Sequence, residues 1–200
     1  VNAKSIRVML ILAAFLCGLV LCFGAILLIT GRAPSPIGQA VASVGGPFHL
    51  EDQNGNAVSD ADMKGKPFLV FFGFTHCPDI CPTTLFDISQ VMKALGPDAD
   101  RTGGALFITV DPERDTPAVL KDYLSNFDPH LRGLTGDRAA LNAAIKEYRV
   151  YAKKVPLDNG DYTMDHTALV YLMDKDGRFV APFNTQRTPE AEAAELRRYL

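Results

Sequence analysis

Lys66-Pro67-Phe68-Leu69-Val70-Phe71-Phe72-Gly73-Phe74-Thr75-His76-Cys77-Pro78-Asp79-Ile80-Cys81-Pro82 is the stretch on which the fold turns. Phe68 to Phe74 is almost entirely apolar, as expected of a strand covered on both faces at the centre of a sheet. Beyond Pro82 the period changes. Leu85, Ile88, Val91, Met92 and Leu95 recur at helical spacing, and Gly96-Pro97 supplies the usual stop. A buried strand therefore feeds a helix through a short polar loop, and two of the four cysteines lie in that loop.

Toward the C-terminus, Ala105 to Val110 reads as a second buried strand. Thr116 and Pro117 open a helix to about Phe127, because threonine offers an N-cap oxygen and proline has no amide to leave unpaired. Asp137 to Tyr148 reads as a further helix, followed by Val150-Tyr151-Ala152. Ala168 to Met173 and Phe179 to Phe183 flank the turn Asp174-Lys175-Asp176-Gly177 as a β-hairpin. Thr188-Pro189 starts a last helix that reaches Leu200. Toward the N-terminus, Pro47 to Leu50 predicts a short strand that turns through Asp52 to Gly55 into a second one. Strands alternating with helices predict a layered α/β domain over residues 41–200, with a mixed, partly parallel central sheet flanked by helices.

The first thirty residues differ in kind. Val8 to Thr30 runs for 23 residues without a charge. As a helix it spans about 35 Å, enough to cross a hydrocarbon core of about 30 Å. Lys4 and Arg7 precede it and Arg32 follows, which predicts a cytoplasmic N-terminus and a single-pass inner-membrane anchor over residues 1–32. A cleaved signal is the competing reading, but its apolar core would be about 7–15 residues long, and Ala40-Val41-Ala42 lies well past this one. Leu21 is too bulky to precede a lipoprotein cysteine at Cys22. Residues 33–40, with Pro34 and Pro36, read as a linker. The domain is then expected in the periplasm or the equivalent intermembrane space.

Three of the 20 basic residues and none of the 23 acidic ones precede Glu51, so the outer part carries 17 basic against 23 acidic residues, a net −6. That balance, with no basic run, argues against a nucleic-acid partner. Cys17 and Cys22 sit in the apolar segment as small hydrophobes. Cys77 and Cys81 are the only thiols outside it, too few for a disulfide scaffold. They fall at the C-terminal edge of the central strand, where open α/β sheets bind ligands. With Pro82 as the first helical residue, Cys81 would cap the helix and Cys77 would lie in an exposed loop before it. The helix end is then expected to favour thiolate over thiol.

Three blocks resemble one known family. Phe72-Gly73-Phe74-Thr75-His76-Cys77-Pro78-Asp79-Ile80-Cys81-Pro82 resembles the signature of the Sco/SenC family. Asp111-Pro112-Glu113-Arg114-Asp115-Thr116-Pro117 is similar to its second block, and Asp161-Tyr162-Thr163-Met164-Asp165-His166-Thr167 to its third. The resemblance runs over roughly residues 41–200. It implies a thioredoxin-like fold on a membrane tether and copper held by Cys77, Cys81 and His166. It also implies a metallochaperone role in assembling the dinuclear copper centre of cytochrome c oxidase. The expected partners are the copper-receiving oxidase subunit and another periplasmic copper chaperone. Two thiolates and an imidazole suit Cu(I) and Cu(II), whereas a closed structural zinc site wants four protein ligands. Asp165 is a candidate carboxylate behind His166, or a turn cap. His76, His49 and His130 read as structural, Asp79 as a solvated aspartate, and Arg114 as tying its loop by ion pairs.

The main rival is a thiol–disulfide oxidoreductase that uses Cys77 and Cys81 as a redox pair to reduce a copper-site target. Thioredoxins space their cysteines by two residues, not three, and place a proline where Asp165-His166-Thr167-Ala168 stands here. A thiol peroxidase ranks third, since the tryptophan of glutathione-peroxidase-like sites has no counterpart in a chain without Trp.

Overall fold

A computed structural model describes residues 2–30 and 44–200. The chain divides into two units, Val1–Val41 and Ala42–Leu200. In the first, α1 (Ala3–Thr30) is one continuous helix. Its stretch Ser5–Ile26 is long and apolar enough to cross a membrane and is not buried within the protein. The linker expected over residues 33–40 lies outside the described residues.

The second unit is built on a seven-stranded mixed sheet in the order β2-β1-β5-β4-β3-β8-β9. Its elements in chain order are β1 (His49–Asp52), β2 (Ala57–Ser59), β3 (Phe68–Gly73), α2 (Ile80–Leu95), β4 (Ala105–Thr109), α3 (Pro117–Leu124) and β5 (Leu131–Thr135). They continue with α4 (Arg138–Glu147), β6 (Ala152–Pro156), β7 (Tyr162–His166), β8 (Val170–Met173), β9 (Phe179–Pro182) and α5 (Pro189–Leu196). β3, β4 and β5 run parallel; β8 joins β3 antiparallel, with Phe71 opposite Val170. Every residue of β3 is buried, as the apolar run requires.

Helix starts follow from local chemistry. Thr116, Asp137 and Thr188 each accept a hydrogen bond from the amide three residues on, and Pro117 and Pro189 occupy the first turn. α2, however, begins at Ile80 rather than Pro82, with Asp79 at the N-cap position. Cys81 therefore sits inside the first turn, not at the cap.

Two features depart from the sequence reading. β5 is a full strand that the pattern does not announce, because Arg132 and Gly133 interrupt its apolar residues. Gly133 fits α3 closely: a Cβ there would meet Leu124 Cδ1 at 2.7 Å, and that side chain would have to shift. Residues 162–166, to which the sequence pattern assigns no element, form strand β7, which pairs with β6 as a separate two-stranded sheet. Lys153-Lys154 and the exposed Asp165 give that ribbon no continuous apolar face to recognise.

Candidate metal centre

Cys77, Cys81 and His166 converge, each offering one donor atom, with all three atoms within 4.8 Å of one another. Cys81 Sγ lies 3.5 Å from His166 Nε2. Donors about 2.0–2.3 Å from one metal ion lie roughly 3.5–4 Å apart, so a small closure would complete a three-coordinate set. Among the described residues this is the one such cluster of cysteine, histidine and carboxylate donors.

The two sulfurs are held by packing. Cys81 is fully buried and Cys77 is 9% exposed, so the loop is less open than its polar sequence implies. Gly73, at the end of β3, makes room for them: a Cβ there would lie 2.8 Å from Cys81 Sγ and 2.6 Å from Phe107 Cε2. The Cys81 amide donates to Cys77 Sγ at 3.4 Å, an early-turn N–H meeting sulfur. The thiolate expectation fails for Cys81 nonetheless. Burial pushes its thiol well above the ordinary value, and the Phe74 amide offsets only part of that.

The loop is pinned from the neighbouring strand. Buried Asp115 accepts hydrogen bonds from Thr75 Oγ1 at 2.6 Å, the Thr75 amide at 3.1 Å and Thr109 Oγ1 at 2.6 Å. Burial raises the Asp115 pKa despite these bonds. Thr75 is two residues from Cys77, so the end of β4 fixes where the cysteine loop leaves β3.

His166 comes from the other sheet, as the last residue of β7 opposite Ala152. Its Nδ1 donates to the Thr167 carbonyl at 3.1 Å, which leaves the Nε2 lone pair facing sulfur. Burial lowers its pKa, so the ring is neutral at neutral pH, the form that binds metal. Its ring stands edge-on to Phe74 at 5.7 Å. Asp165 is exposed, and as its strand neighbour it projects from the opposite face. It acts on the imidazole by charge, while Thr167 takes the hydrogen bond.

The remaining candidates stay apart from this group. His76 is exposed and meets Thr75 Oγ1 at 3.1 Å. His130 bonds Asp128 at 2.7 Å and Asp100 at 3.1 Å. His49 is an exposed position of β1, and Asp79 makes no side-chain cap bond. Arg114 ties its loop as expected, its Nε meeting Asp111 Oδ2 at 2.5 Å. Sequence reasoning missed Gly73, whose part in the site follows only from the approach of Cys81 and Phe107. It also missed Tyr162, visible beforehand only as a member of the third block.

A family model described as SCO1/SenC matches residues 38–200. The mitochondrial protein SCO1 of Saccharomyces cerevisiae is 46% identical over 145 residues, which are 72% of this chain and 49% of that protein. This chain thus spans about half of that relative. The structure of Bradyrhizobium japonicum ScoI with copper bound is 67% identical and superposes with a TM-score of 0.77, covering 79% of this chain and all (100%) of that one. BsSco, described as a member of the Sco family of cytochrome c oxidase assembly proteins with a disulfide switch, is 26% identical at a TM-score of 0.60, covering 78% of this chain and 92% of its own. The mixed sheet with flanking helices is the thioredoxin-like fold of these relatives.

Proposed function

From the premise that this chain belongs to the SCO1/SenC family, we propose that it is a membrane-tethered copper chaperone serving cytochrome c oxidase. Cys77, Cys81 and His166 hold one copper ion as cargo. The chain delivers it to the copper-receiving oxidase subunit, and another copper chaperone is a second partner. Residues 1–32 form the cytoplasmic stub and anchor, 33–40 the linker and 41–200 the copper domain, which faces the periplasm or the intermembrane space.

One observation carries this reading: two sulfurs and a neutral imidazole nitrogen lie within 4.8 Å of one another at a sheet edge. Soft thiolates select Cu(I), imidazole serves both oxidation states, and three donors fall short of a closed structural zinc site. The copper-bound ScoI relative, at 67% identity, supports the choice of metal. Burial raises the Cys81 thiol, and a soft cation displaces its proton on binding.

Copper titration of the reduced full chain in detergent tests this directly. One equivalent should bind, with an intense sulfur-to-Cu(II) charge-transfer band. Cys77→Ser and Cys81→Ser should lose that band, and His166→Ala should bind about 10–100-fold more weakly. A His166→Ala variant that binds like the parent, with a parent that efficiently reduces protein disulfides, would establish the oxidoreductase instead.

A further inference from the structure

His166 reaches the cysteine pair on a ribbon that belongs to neither neighbour of β3. β6 and β7 pair only with each other, while the cysteines are carried by the seven-stranded sheet and α2. The place of the imidazole relative to the sulfurs therefore depends on side-chain contacts between the ribbon and the rest of the domain. Met164 supplies an apolar one. The polar ones gather on the loop after β4.

There, Arg114 Nη1 donates to the Tyr162 carbonyl at 3.0 Å and approaches Asp161 Oδ1 at 3.4 Å. Its guanidinium lies over the Tyr162 ring, 3.8 Å from the centroid, and 5.9 Å from the centre of Phe74. The Tyr162 hydroxyl donates to Asp111 Oδ1 at 2.9 Å, and Arg114 Nε holds the other oxygen of that carboxylate. Asp111 is 1% exposed, so this is a desolvated junction. Burial and the Asp111 bond push the Tyr162 pKa up to about 12, which keeps its hydroxyl a donor. Phe74, on which Arg114 rests, is the same ring that meets His166 edge-on at 5.7 Å.

We infer that Asp111, Arg114 and Tyr162 form a clamp that positions the ribbon so that His166 faces Cys77 and Cys81. Arg114 and Tyr162 are thus positioning residues for the third copper donor. The clamp rests on the copper reading above only for what His166 then does. A fork-shaped guanidinium is needed to reach carboxylate, carbonyl and ring together, so lysine should not replace it.

Two variants test the clamp on the full chain in detergent. Tyr162→Phe removes one hydroxyl and keeps the ring; Arg114→Lys keeps the charge and loses the fork. Loaded with Cu(II), both should still take one copper at the sulfurs, about tenfold more weakly. Their electron paramagnetic resonance should lose the imidazole nitrogen coupling as His166→Ala does, and added free imidazole should restore it. In the copper-free chain, NMR contacts between the His166 and Phe74 rings should be present in the parent and lost in both variants. Retention of those contacts in a folded Tyr162→Phe chain overturns the clamp, even if Arg114→Lys fails to fold. A parent without nitrogen coupling, but with ring contacts that the variants lose, overturns the copper role of His166 and leaves the clamp standing.

Discussion

The two halves of the candidate metal centre are supported in opposite ways. The sulfurs are set by close packing: Cys81 lies against Gly73 and the Phe107 ring in the interior, and Asp115 ties the loop to β4 through hydroxyls and an amide. The imidazole is set by charge: its ribbon is fastened through Arg114, Asp111, Glu113 and Lys154. Packed interiors resist displacement because any gap or overlap is felt by many atoms. Of these ties the Lys154–Glu113 pair is exposed, and exposed ion pairs contribute little, whereas Arg114 and Asp111 meet out of water. The thiols thus form a rigid base, and the third donor is carried by a separate ribbon held to it largely through polar contacts.

Breaking the packed half should have the largest effect. Gly73→Ala places a methyl 2.8 Å from Cys81 Sγ and 2.6 Å from Phe107 Cε2. Overpacking of this kind costs about 1–3 kcal/mol. The urea midpoint should fall accordingly, and copper should bind more weakly because Sγ is pushed from its place. A variant with parental stability and parental copper titration would mean that the strand end yields freely, and the rigid-base description would fail.

The sulfurs and the imidazole should also differ in proton linkage. Burial raises the Cys81 thiol above the ordinary thiol range, so at neutral pH the folded chain carries that proton and copper must displace it. Burial lowers His166 below the ordinary imidazole range, so at neutral pH it has none to give. Copper affinity should therefore rise with pH through the neutral range, as the Cys81 proton is displaced on binding. His166 adds a further proton only as pH falls through its lowered value. His166→Ala should keep the neutral slope and lose the acid steepening; titrations over the two ranges read both. A flat neutral profile would mean that Cys81 is already thiolate.

How far the sequence announces each half follows the same physics. β3, α2 and the β8–β9 hairpin are legible because burial imposes an apolar run, a helical period and an Asp-Lys-Asp-Gly turn. Cys77 and Cys81 are legible as a pair because they stand between strand and helix. The protonation of Cys81 is not, since chain position gives the helix end but not the depth, and burial outweighs the early-turn amides. β5 hides behind Arg132 and Gly133, and the close fit of Gly133 shows only when α3 presses on the strand. The β6–β7 ribbon hides because it is half exposed and lacks the apolar alternation of a sheet edge on a core. His166 and Tyr162 therefore had no periodic signal, and the resemblance of their block to a family's drew attention to His166 but not to Tyr162.

The smallest effect is expected at the outermost tie of the charged half. Glu113, exposed at the surface, accepts from Lys154 of β6 at 2.6 Å and from Arg138 of α4 at 3.0 Å. The Lys154 bond is the main cause that holds its pKa below the ordinary glutamate value, so the tie is complete at neutral pH and loosens as pH falls through that lowered value. Salt acts similarly without protonation, because exposed pairs are screened between about 0.1 M and 1 M ionic strength. In the parent, the imidazole nitrogen coupling of Cu(II) should weaken slightly over that range, while the charge-transfer band of the packed sulfurs stays constant. Glu113→Gln should show the weakened coupling already at low salt and respond less to added salt, with its melting temperature close to the parent's. Equal salt responses in parent and variant would mean that Glu113 adds nothing to the seating of the ribbon, and that Arg114 and Tyr162 hold it alone.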